Sequence, residues 1–433
     1  MNFDDGKWSR DYDDVPNTPE PPLAVEMYLR GRPAYQVPVV GSVVPRELRA
    51  AYAVAACRAV EAACGIEVSE PVEALRALWC AAVWIEAHSE HIYCAEIPSL
   101  LGYPDLAQFA HDNDVEFLRG CGLRRTGAGL ARLISEDEDA GLRVRVGGFS
   151  RAPCRAELLR WRAKLISATA AAAETLRRVA DFSTQGHELD VPLLALENPT
   201  PEPAGVASRY PLDTGSHVVV DTGLRFRVEE FESYLRRSRD AGPDASRSLL
   251  RGHHACLAGP LARFILAGEH LAGSARHAAA QAGLNRKTLS PPQSILARAV
   301  ELIHAIDAAN ALIEAYTPPD PVHAGPAPVS ATIGRGCGVS ASEAPTGTVF
   351  VRCDVDSRGN LAQVCVIGPN ELNRASAATE VRHAAAQATL RDGMFTRITL
   401  DRVKDRVGRY YRNPLSDLPF MVVNEQRGEP YEH

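Results

Sequence analysis

Residues 333–373 constrain the fold more than any other part of the chain. Apolar residues alternate with other residues over Gly347–Val355, which predicts a strand with one apolar face, and a second strand follows over Leu361–Ile367. Asp-Ser-Arg-Gly-Asn separates the two strands, and Gly359 can supply the positive φ of a tight connection. The pattern predicts a two-stranded ribbon that follows a glycine-rich segment and has a loop at each base.

Helical periodicity dominates the rest of the chain. One predicted helix begins near Pro45 and a second covers residues 71–94, and we expect the two to pack as an antiparallel pair. Further helices are predicted at residues 152–182, 228–239, 261–282, 290–316, 371–391 and 399–411. The sequence predicts an α+β fold that is mainly α: a helical bundle with small peripheral β elements.

The composition excludes several classes of protein. The chain has 433 residues, of which 45% are hydrophobic and 23% charged, as in an ordinary globular protein with a large core. No apolar run approaches the roughly 20 residues that span a bilayer. The net charge of −7 argues against a nucleic-acid partner. Ten cysteines are scattered without a Cys-x-x-Cys pair, which indicates reduced thiols and a cytoplasmic location.

The two ends of the chain differ in composition from the rest. Residues 1–24 are rich in Asp, Pro and Asn and show no hydrophobic period, so they are predicted to be a disordered acidic tail. Residues 421–433 form a polar C-terminal tail. One large domain is therefore predicted over residues 25–420.

Five segments follow one another in a fixed order along the chain. They read IEAHSEHIYCAEIPSLLGYPD, RVRVGGFSRAP, LAGPLARF, SILARAVELIHAIDAANALIEAY and the ribbon that begins at Glu343-Ala344-Pro345. In order and spacing they resemble the large subunit of nickel–iron hydrogenases, from about residue 30 to about residue 414. The resemblance implies the hydrogenase large-subunit-like helical bundle.

The resemblance fails where the metal ligands are expected. It implies two Cys-x-x-Cys pairs, whose soft thiolates hold nickel and an iron that carries cyanide and carbonyl ligands. Alignment on the helix that begins near Pro45 places the first pair at Pro45 and Leu48, and a following histidine at Tyr52. The second pair falls at Leu415 and Leu418. These four proline and leucine residues are therefore the former metal-site positions.

The residues that are expected around the metal differ as well. The arginine that the resemblance implies after Glu343-Ala344-Pro345 is Thr346, and an expected aspartate is Asn413. Proline and leucine side chains have no lone pair for nickel, so we expect hydrocarbon to fill the site. Neutral Thr346 and Asn413 avoid an unpaired buried charge. We therefore expect no catalytic residue, no bound metal and no nickel–iron centre; an iron unit that is carried transiently is left open.

Four other residues are candidates for a replacement cavity or ligand set. His88, His91 and Cys94 follow one another at three-residue spacing on one helix face, which has metal-ligand character. The resemblance places structural histidines here, however, so a role in packing is favoured. Cys57 is a further candidate ligand for iron, and core packing is again favoured.

Two classes of function remain open. The first is a metal-site-deficient, non-catalytic homologue that acts in hydrogenase assembly or maturation, or as a structural subunit, with maturation proteins or an iron–sulfur small-subunit-like protein as partners. The second is a subunit of a redox complex with an iron–sulfur partner. That subunit would use the former cavity for another substrate such as a quinone, with Tyr52, His88, Glu343 and Asn413 as its lining. Metal analysis and copurification distinguish the two.

Overall fold

The computed structural model describes residues 2–4, 7–9, 21–137, 141–182, 191–198, 209–238, 247–253, 255–286, 289–321, 336–392, 403 and 407. The α-helices are α1 (Pro21–Leu29), α2 (Arg49–Cys64), α3 (Glu70–His91), α4 (Ile97–Leu100), α5 (Leu106–Asp112), α6 (Asp114–Ser135), α7 (Arg155–Ala180), α8 (Phe231–Tyr234), α9 (Pro260–Ala267), α10 (Gly273–Gln281), α11 (Ser294–Glu314) and α12 (Pro369–Asp392). Short 3₁₀ turns cover Ala34–Ser42, Arg46–Leu48, Val228–Glu230, Gly268–His270 and Pro291–Gln293, and a π turn covers Ile92–Glu96.

The strands are short and lie around the helices. They are β1 (Asn2–Asp4), β2 (Lys7–Ser9), β3 (Glu136–Asp137), β4 (Gly141–Leu142), β5 (Val144–Arg145), β6 (Gly148–Phe149), β7 (Leu193–Glu197), β8 (His217–Val220), β9 (Arg225–Arg227), β10 (Leu235–Ser238), β11 (Arg247–Leu250), β12 (Leu257–Ala258), β13 (Gly336–Ala344), β14 (Gly347–Val355) and β15 (Leu361–Ile367). The predicted α+β fold, mainly α, is confirmed.

Helix α3 lies at the centre of the bundle. It packs against α6 on one side and α11 on another, and α7 packs against α11. Two glycines of α6 let it approach α3 closely, because a Cβ at Gly127 would lie 2.4 Å from the backbone nitrogen of Glu86 and a Cβ at Gly120 would overlap the ring of Tyr93. No helix in the described part of the chain is both long enough and apolar enough to cross a membrane.

The predicted ribbon is a three-stranded antiparallel sheet in the order β13-β14-β15. The apolar face of β14 is confirmed, since Val349, Val351, Cys353 and Val355 are all buried. The prediction of two strands was wrong, because the glycine-rich segment is itself strand β13. Its glycines lie against α2: a Cβ at Gly338 would lie 2.0 Å from the carbonyl oxygen of a helix residue. Glycine here permits a close helix–sheet contact and does not mark a loop.

Helix α2 packs mainly on this sheet and makes only a minor contact with α3. The predicted antiparallel pairing of the two helices was therefore wrong. The N-terminal region holds the β1–β2 hairpin and helix α1, which begins at Pro21, inside the segment that was assigned to a disordered tail. Residues 421–433 and most of the helix predicted at residues 399–411 lie outside the described residues.

Two other predicted helices differ in detail. Residues 228–239 were expected to be helical, but only the 3₁₀ turn Val228–Glu230 and the short helix α8 form before the chain becomes strand β10, which pairs with β11. Residues 261–282 form two helices, α9 and α10, separated by a 3₁₀ turn and an extended residue, Leu271. In both places partners distant in sequence outweigh local helical preference.

A four-stranded sheet in the order β12-β7-β8-β9 completes the fold beside the tip of the ribbon. Its inner residues share an apolar cluster with Phe350 and Ile367 of the ribbon sheet. The tip of the β13–β14 hairpin, at residues 345–346, therefore lies between this sheet and helices α9, α11 and α12.

Candidate functional site

The described half of the expected metal site lies at the start of α2. Pro45 is exposed at the head of the 3₁₀ turn Arg46–Leu48, so it does not fill a buried site as expected. Leu48 is buried in an apolar cluster with residues of the ribbon sheet. Tyr52 is buried in the same cluster, and its hydroxyl group occupies the space where a Cβ at Gly368 would lie. Leu415, Leu418 and Asn413 lie outside the described residues.

Glu343 stands at the end of β13 and is fully buried. Its Oε1 accepts hydrogen bonds from the backbone nitrogen of Leu196 at 2.9 Å and from Oγ1 of Thr348 at 3.0 Å. Its Oε2 accepts one from Nη1 of Arg263 at 2.8 Å. Both carboxylate oxygens are thus used by the protein, and they bind the ribbon to the four-stranded sheet and to α9.

Arg263 on α9 is the centre of this site. It is fully buried, and it makes a bidentate pair with Glu301 through Nε at 2.7 Å and Nη2 at 2.9 Å. Its Nη1 also donates to the carbonyl oxygen of Ala344 at 2.9 Å. Its guanidinium group lies over the ring of Trp84, 4.3 Å from the ring centroid. One cation therefore connects α9, α11, α3 and the hairpin tip.

Glu301 also contacts Tyr210 and His88, and His304 lies beside Tyr210. The Tyr210 hydroxyl donates to Oε1 at 2.5 Å, and His88 Nε2 lies 3.0 Å from Oε2. His304, one turn along α11, meets the Tyr210 ring edge-on at 5.0 Å between centroids. Because its Nδ1 accepts a hydrogen bond from the backbone nitrogen of Ala272, neutral His304 carries its proton on Nε2.

The charges of this buried network are fixed by its surroundings. Burial alone would raise the pKa of Glu301, but Arg263 and His88 outweigh burial and hold that pKa well below its usual range. Burial lowers the pKa of His88 to about 4 and that of His304 to about 4, and the carboxylate of Glu301 offsets this only in part. Burial, and then Glu301, raise the pKa of Tyr210. At neutral pH Glu301 is therefore a carboxylate beside the guanidinium group of Arg263, and the rings of His88, His304 and Tyr210 are neutral.

The alternative ligand residues are not brought together. His88 faces Glu301, whereas His91 Nε2 lies 2.6 Å from a different carboxylate, that of Glu96. Cys94 lies half-buried in the π turn, and burial raises the pKa of Cys57 to about 12. Across the described residues, no three His, Cys, Asp or Glu side chains are placed to share a metal ion.

Thr346 lies at the hairpin tip and borders a small cleft. The cleft is lined by Leu257, Ala258, Pro260, Leu261, Pro291, Ser294, Thr346 and Asn373. Asn373 closes one side, since its amide nitrogen donates to the carbonyl oxygens of Ala258 at 3.1 Å and Thr346 at 3.2 Å. The predicted cavity residues Tyr52, His88 and Glu343 do not line this cleft.

A second buried network fixes the C-terminal half of α2 against the start of α3. Arg76 makes a bidentate pair with Glu61 at 2.5 and 2.9 Å, and Glu61 also accepts a hydrogen bond from the backbone nitrogen of Gly147 at 2.6 Å. Arg58 donates to the buried carboxylate of Asp213 at 2.7 Å. These pairs hold the Gly-Gly turn after β5 against both helices.

Sequence reasoning did not select Arg263, Glu301, Tyr210 or His304 as site residues. A signal was present, because Arg298, Glu301 and His304 recur every third residue within an otherwise apolar stretch of α11, residues 295–306. Charged residues on a stripe that must be buried are expected to have partners in the core. Arg263 was part of a segment that carried the resemblance, but its carboxylate partners come from distant parts of the chain.

Comparison with solved structures identifies this arrangement of elements. An NAD⁺-reducing [NiFe]-hydrogenase matches with a TM-score of 0.73 and 18% identity, covering 91% of this chain and 90% of the other. A Ni-Fe-Se hydrogenase from Desulfomicrobium baculatum matches with a TM-score of 0.61 and 14% identity, covering 80% and 82%. No family model matches the chain.

Sequence comparison with curated proteins agrees with the structural match. The chain is 25% identical over 359 residues to sulfhydrogenase 2 subunit alpha of Pyrococcus furiosus, covering 82% of this chain and 80% of the relative. Sulfhydrogenase 1 subunit alpha of the same organism is 24% identical over 337 residues, covering 78% and 76%. In sequence and in fold, the chain is therefore similar to hydrogenase subunits of the nickel–iron class. The Arg263 network therefore lies within a fold that this chain shares with hydrogenases.

Proposed function

We propose that this hydrogenase large-subunit homologue is non-catalytic and acts in hydrogenase assembly or maturation, or as a structural subunit. The observation that supports this is the chemistry at Pro45 and Leu48, the positions that align with the first pair of thiolates. Neither side chain has an electron pair for a metal, and nickel in a sulfur-rich site requires soft donors. Leu415 and Leu418 continue the same pattern in sequence.

The surroundings of Pro45 and Leu48 do not fit a nickel–iron group. Leu48 packs among apolar side chains of α2 and the ribbon sheet, and Pro45 points a hydrocarbon ring towards solvent. Thr346 stands where the resemblance expects an arginine, and it is neutral. We therefore derive no catalytic step through such a centre.

The buried charges support the same proposal. Glu343 uses both of its oxygens on protein donors, and Arg263 pairs with both Glu343 and Glu301. Each carboxylate therefore has a protein cation as its partner and does not depend on a metal ion for one. Glu343, Arg263 and Glu301 can hold the hairpin tip in place without a group from outside the protein.

The proposed partners are an iron–sulfur small-subunit-like protein or hydrogenase maturation proteins. Both curated relatives are named as alpha subunits, which describes them as components of larger assemblies. By analogy, we propose that this chain also works within an assembly. The redox-subunit alternative would require a substrate cavity, and its predicted lining residues Tyr52, His88 and Glu343 instead pack against protein groups.

Metal analysis of the purified chain tests the proposal. The full-length protein is purified without oxygen from cells that carry an active hydrogenase system, and nickel and iron are measured per chain together with hydrogen-dependent dye reduction. A sulfhydrogenase preparation, handled in the same way, shows that the procedure retains metal. We expect no stoichiometric nickel and no hydrogen oxidation.

The other outcomes are also informative. Iron without nickel would support a carrying role in assembly, and copurification with maturation proteins would strengthen it. Copurification with an iron–sulfur protein that transfers electrons to a quinone would favour the redox-subunit alternative. Stoichiometric nickel together with hydrogen oxidation would refute the proposal.

A further inference from the structure

The N-terminal half of α6 presents an apolar face to solvent. Val115 is 68% exposed and Leu118 is 58% exposed. Gly122 is exposed on the same face, because residues at spacings of three and four lie above one another on a helix. A Cβ at Gly122 would meet nothing within 4 Å, unlike Gly120 and Gly127, which are needed for packing inside the chain.

No contact within the described part of the chain requires glycine at this position. Glycine in an exposed helix interior is about 1 kcal/mol less favourable than alanine. It leaves a flat spot between apolar side chains, where a neighbouring helix can approach closely or insert a side chain. Val115 on a second helix has a suitable size and shape for that spot.

The charges along this face have opposite signs at its two ends. Asp114 opens the helix and is exposed, and Arg125 lies about three helical turns later on the same side of the face. Asp114 accepts a hydrogen bond from the backbone nitrogen of Val115, and Arg125 Nε donates to the carbonyl oxygen of Cys121. In the part of the chain that the structure describes, neither side chain forms an ion pair.

We propose that this face binds a second copy of the chain, with the two α6 helices antiparallel about a twofold axis near Leu118. In that arrangement Val115 of each copy meets Gly122 of the other. The same axis places Asp114 of each copy beside Arg125 of the other, since antiparallel helices bring the same flanks together. A twofold interface must be self-complementary, and this face is complementary to itself in both shape and charge.

The size of the patch limits the strength of the dimer. Its exposed apolar side chains are Val115 and Leu118, beside Gly122. One such helix pair is small beside a standard interface of about 1,600 Å². We therefore expect a dimer that dissociates on dilution rather than a permanent one.

Sedimentation velocity of the full chain over a range of concentrations tests the proposal. The wild type is expected to shift from monomer to dimer as concentration rises, and Leu118→Glu is expected to remain monomeric. The matched control is Ile166→Glu, which places the same charge on α7 at a residue that is 56% exposed. The control is expected to dimerise like the wild type, and circular dichroism checks that both variants are folded.

Charge reversal tests the antiparallel register. Asp114→Arg and Arg125→Asp are each expected to weaken the dimer about tenfold, because each brings like charges together. The double reversal is expected to restore it. A wild-type chain that stays monomeric, a dimer that survives Leu118→Glu, or a double reversal no better than either single change would overturn the proposal. Loss of a different protein partner in Leu118→Glu, with the chain monomeric throughout, would also overturn it.

Discussion

Replacing Arg263 by methionine removes the cation that connects the hairpin tip to the helical bundle. Methionine keeps most of the length and apolar character of the arginine side chain, so the change acts mainly on charge and hydrogen bonding. Glu301 and Glu343 would remain fully buried without the guanidinium group that neutralises them. The carbonyl oxygens of Ala344 and Pro345 would lose their donor as well.

The expected loss follows from the burial of both partners. Removing one partner of a buried ion pair costs about 3–5 kcal/mol, because the remaining charge is left uncompensated. Folded proteins have a total stability of about 5–15 kcal/mol, so Arg263→Met should remove a large share of it. The contact with the ring of Trp84 adds to the loss.

Urea unfolding of the wild type and the variant measures this difference. The control is Arg352→Met, since Arg352 also pairs with two carboxylates, Glu232 and Asp354, but is 27% exposed. Its loss is expected to be at most about 1 kcal/mol. If Arg263→Met costs no more than this control, the reasoning about the buried network is wrong.

A combined variant separates charge from packing. Changing Glu301 and Glu343 to glutamine together with Arg263→Met leaves no buried charge in the trio. Part of the lost stability should return, because neutral amides are cheaper to bury than unpaired carboxylates. A triple variant that is less stable than Arg263→Met would show that the hydrogen bonds of the carboxylates matter more than their charge.

Three further predictions concern pH, packing and processing. Burial lowers the pKa of His88 and His304 to about 4. The unfolded chain therefore binds protons below about pH 6.5 that the folded chain does not accept, and the free energy of unfolding should fall as pH drops from about 6.5 to about 4, by up to about 1.4 kcal/mol per pH unit for each histidine. His304→Gln should reduce this slope in urea titrations at several pH values, and an unchanged slope would argue against it. Gly338→Ala should destabilise the chain by about 1–3 kcal/mol, because the added Cβ meets backbone atoms of α2, whereas Gly273→Ala, with open space around it, should change thermal stability little. Intact mass should show no cleavage of the C-terminus, since the second pair of thiolates is absent; a chain that ends within residues 417–420 would contradict this.

The local patterns of the ribbon could be predicted from the sequence because their causes are local. Alternation over Gly347–Val355 placed one face of β14 in the core, and all the apolar residues of that face are buried. Gly359 does adopt positive φ at 78°, in a turn where the side chain of Asp356 accepts hydrogen bonds from two backbone nitrogens. Period and turn chemistry are properties of a few neighbouring residues.

Strand β13 could not be predicted in this way because its glycines serve a distant partner. Gly336 and Gly338 lower strand preference locally, yet they allow α2 to lie directly on the sheet. The Arg263 network was missed for a similar reason. Its members come from α3, α9, α11, the segment at Tyr210 and the ribbon, so only the folded chain shows that they are partners.

The Arg263 network lies apart from Pro45 and Leu48, two of the positions at which the metal ligands are proposed to have been lost. The hairpin tip is fixed through Glu343 and Arg263, whereas Pro45 and Leu48 lie at the start of α2, on the other side of the ribbon sheet. The fold of the tip therefore depends on protein charges that do not involve Pro45 or Leu48. Substitution at these two positions is expected to leave the network intact, which is consistent with the proposal that the chain serves as a non-catalytic binding component.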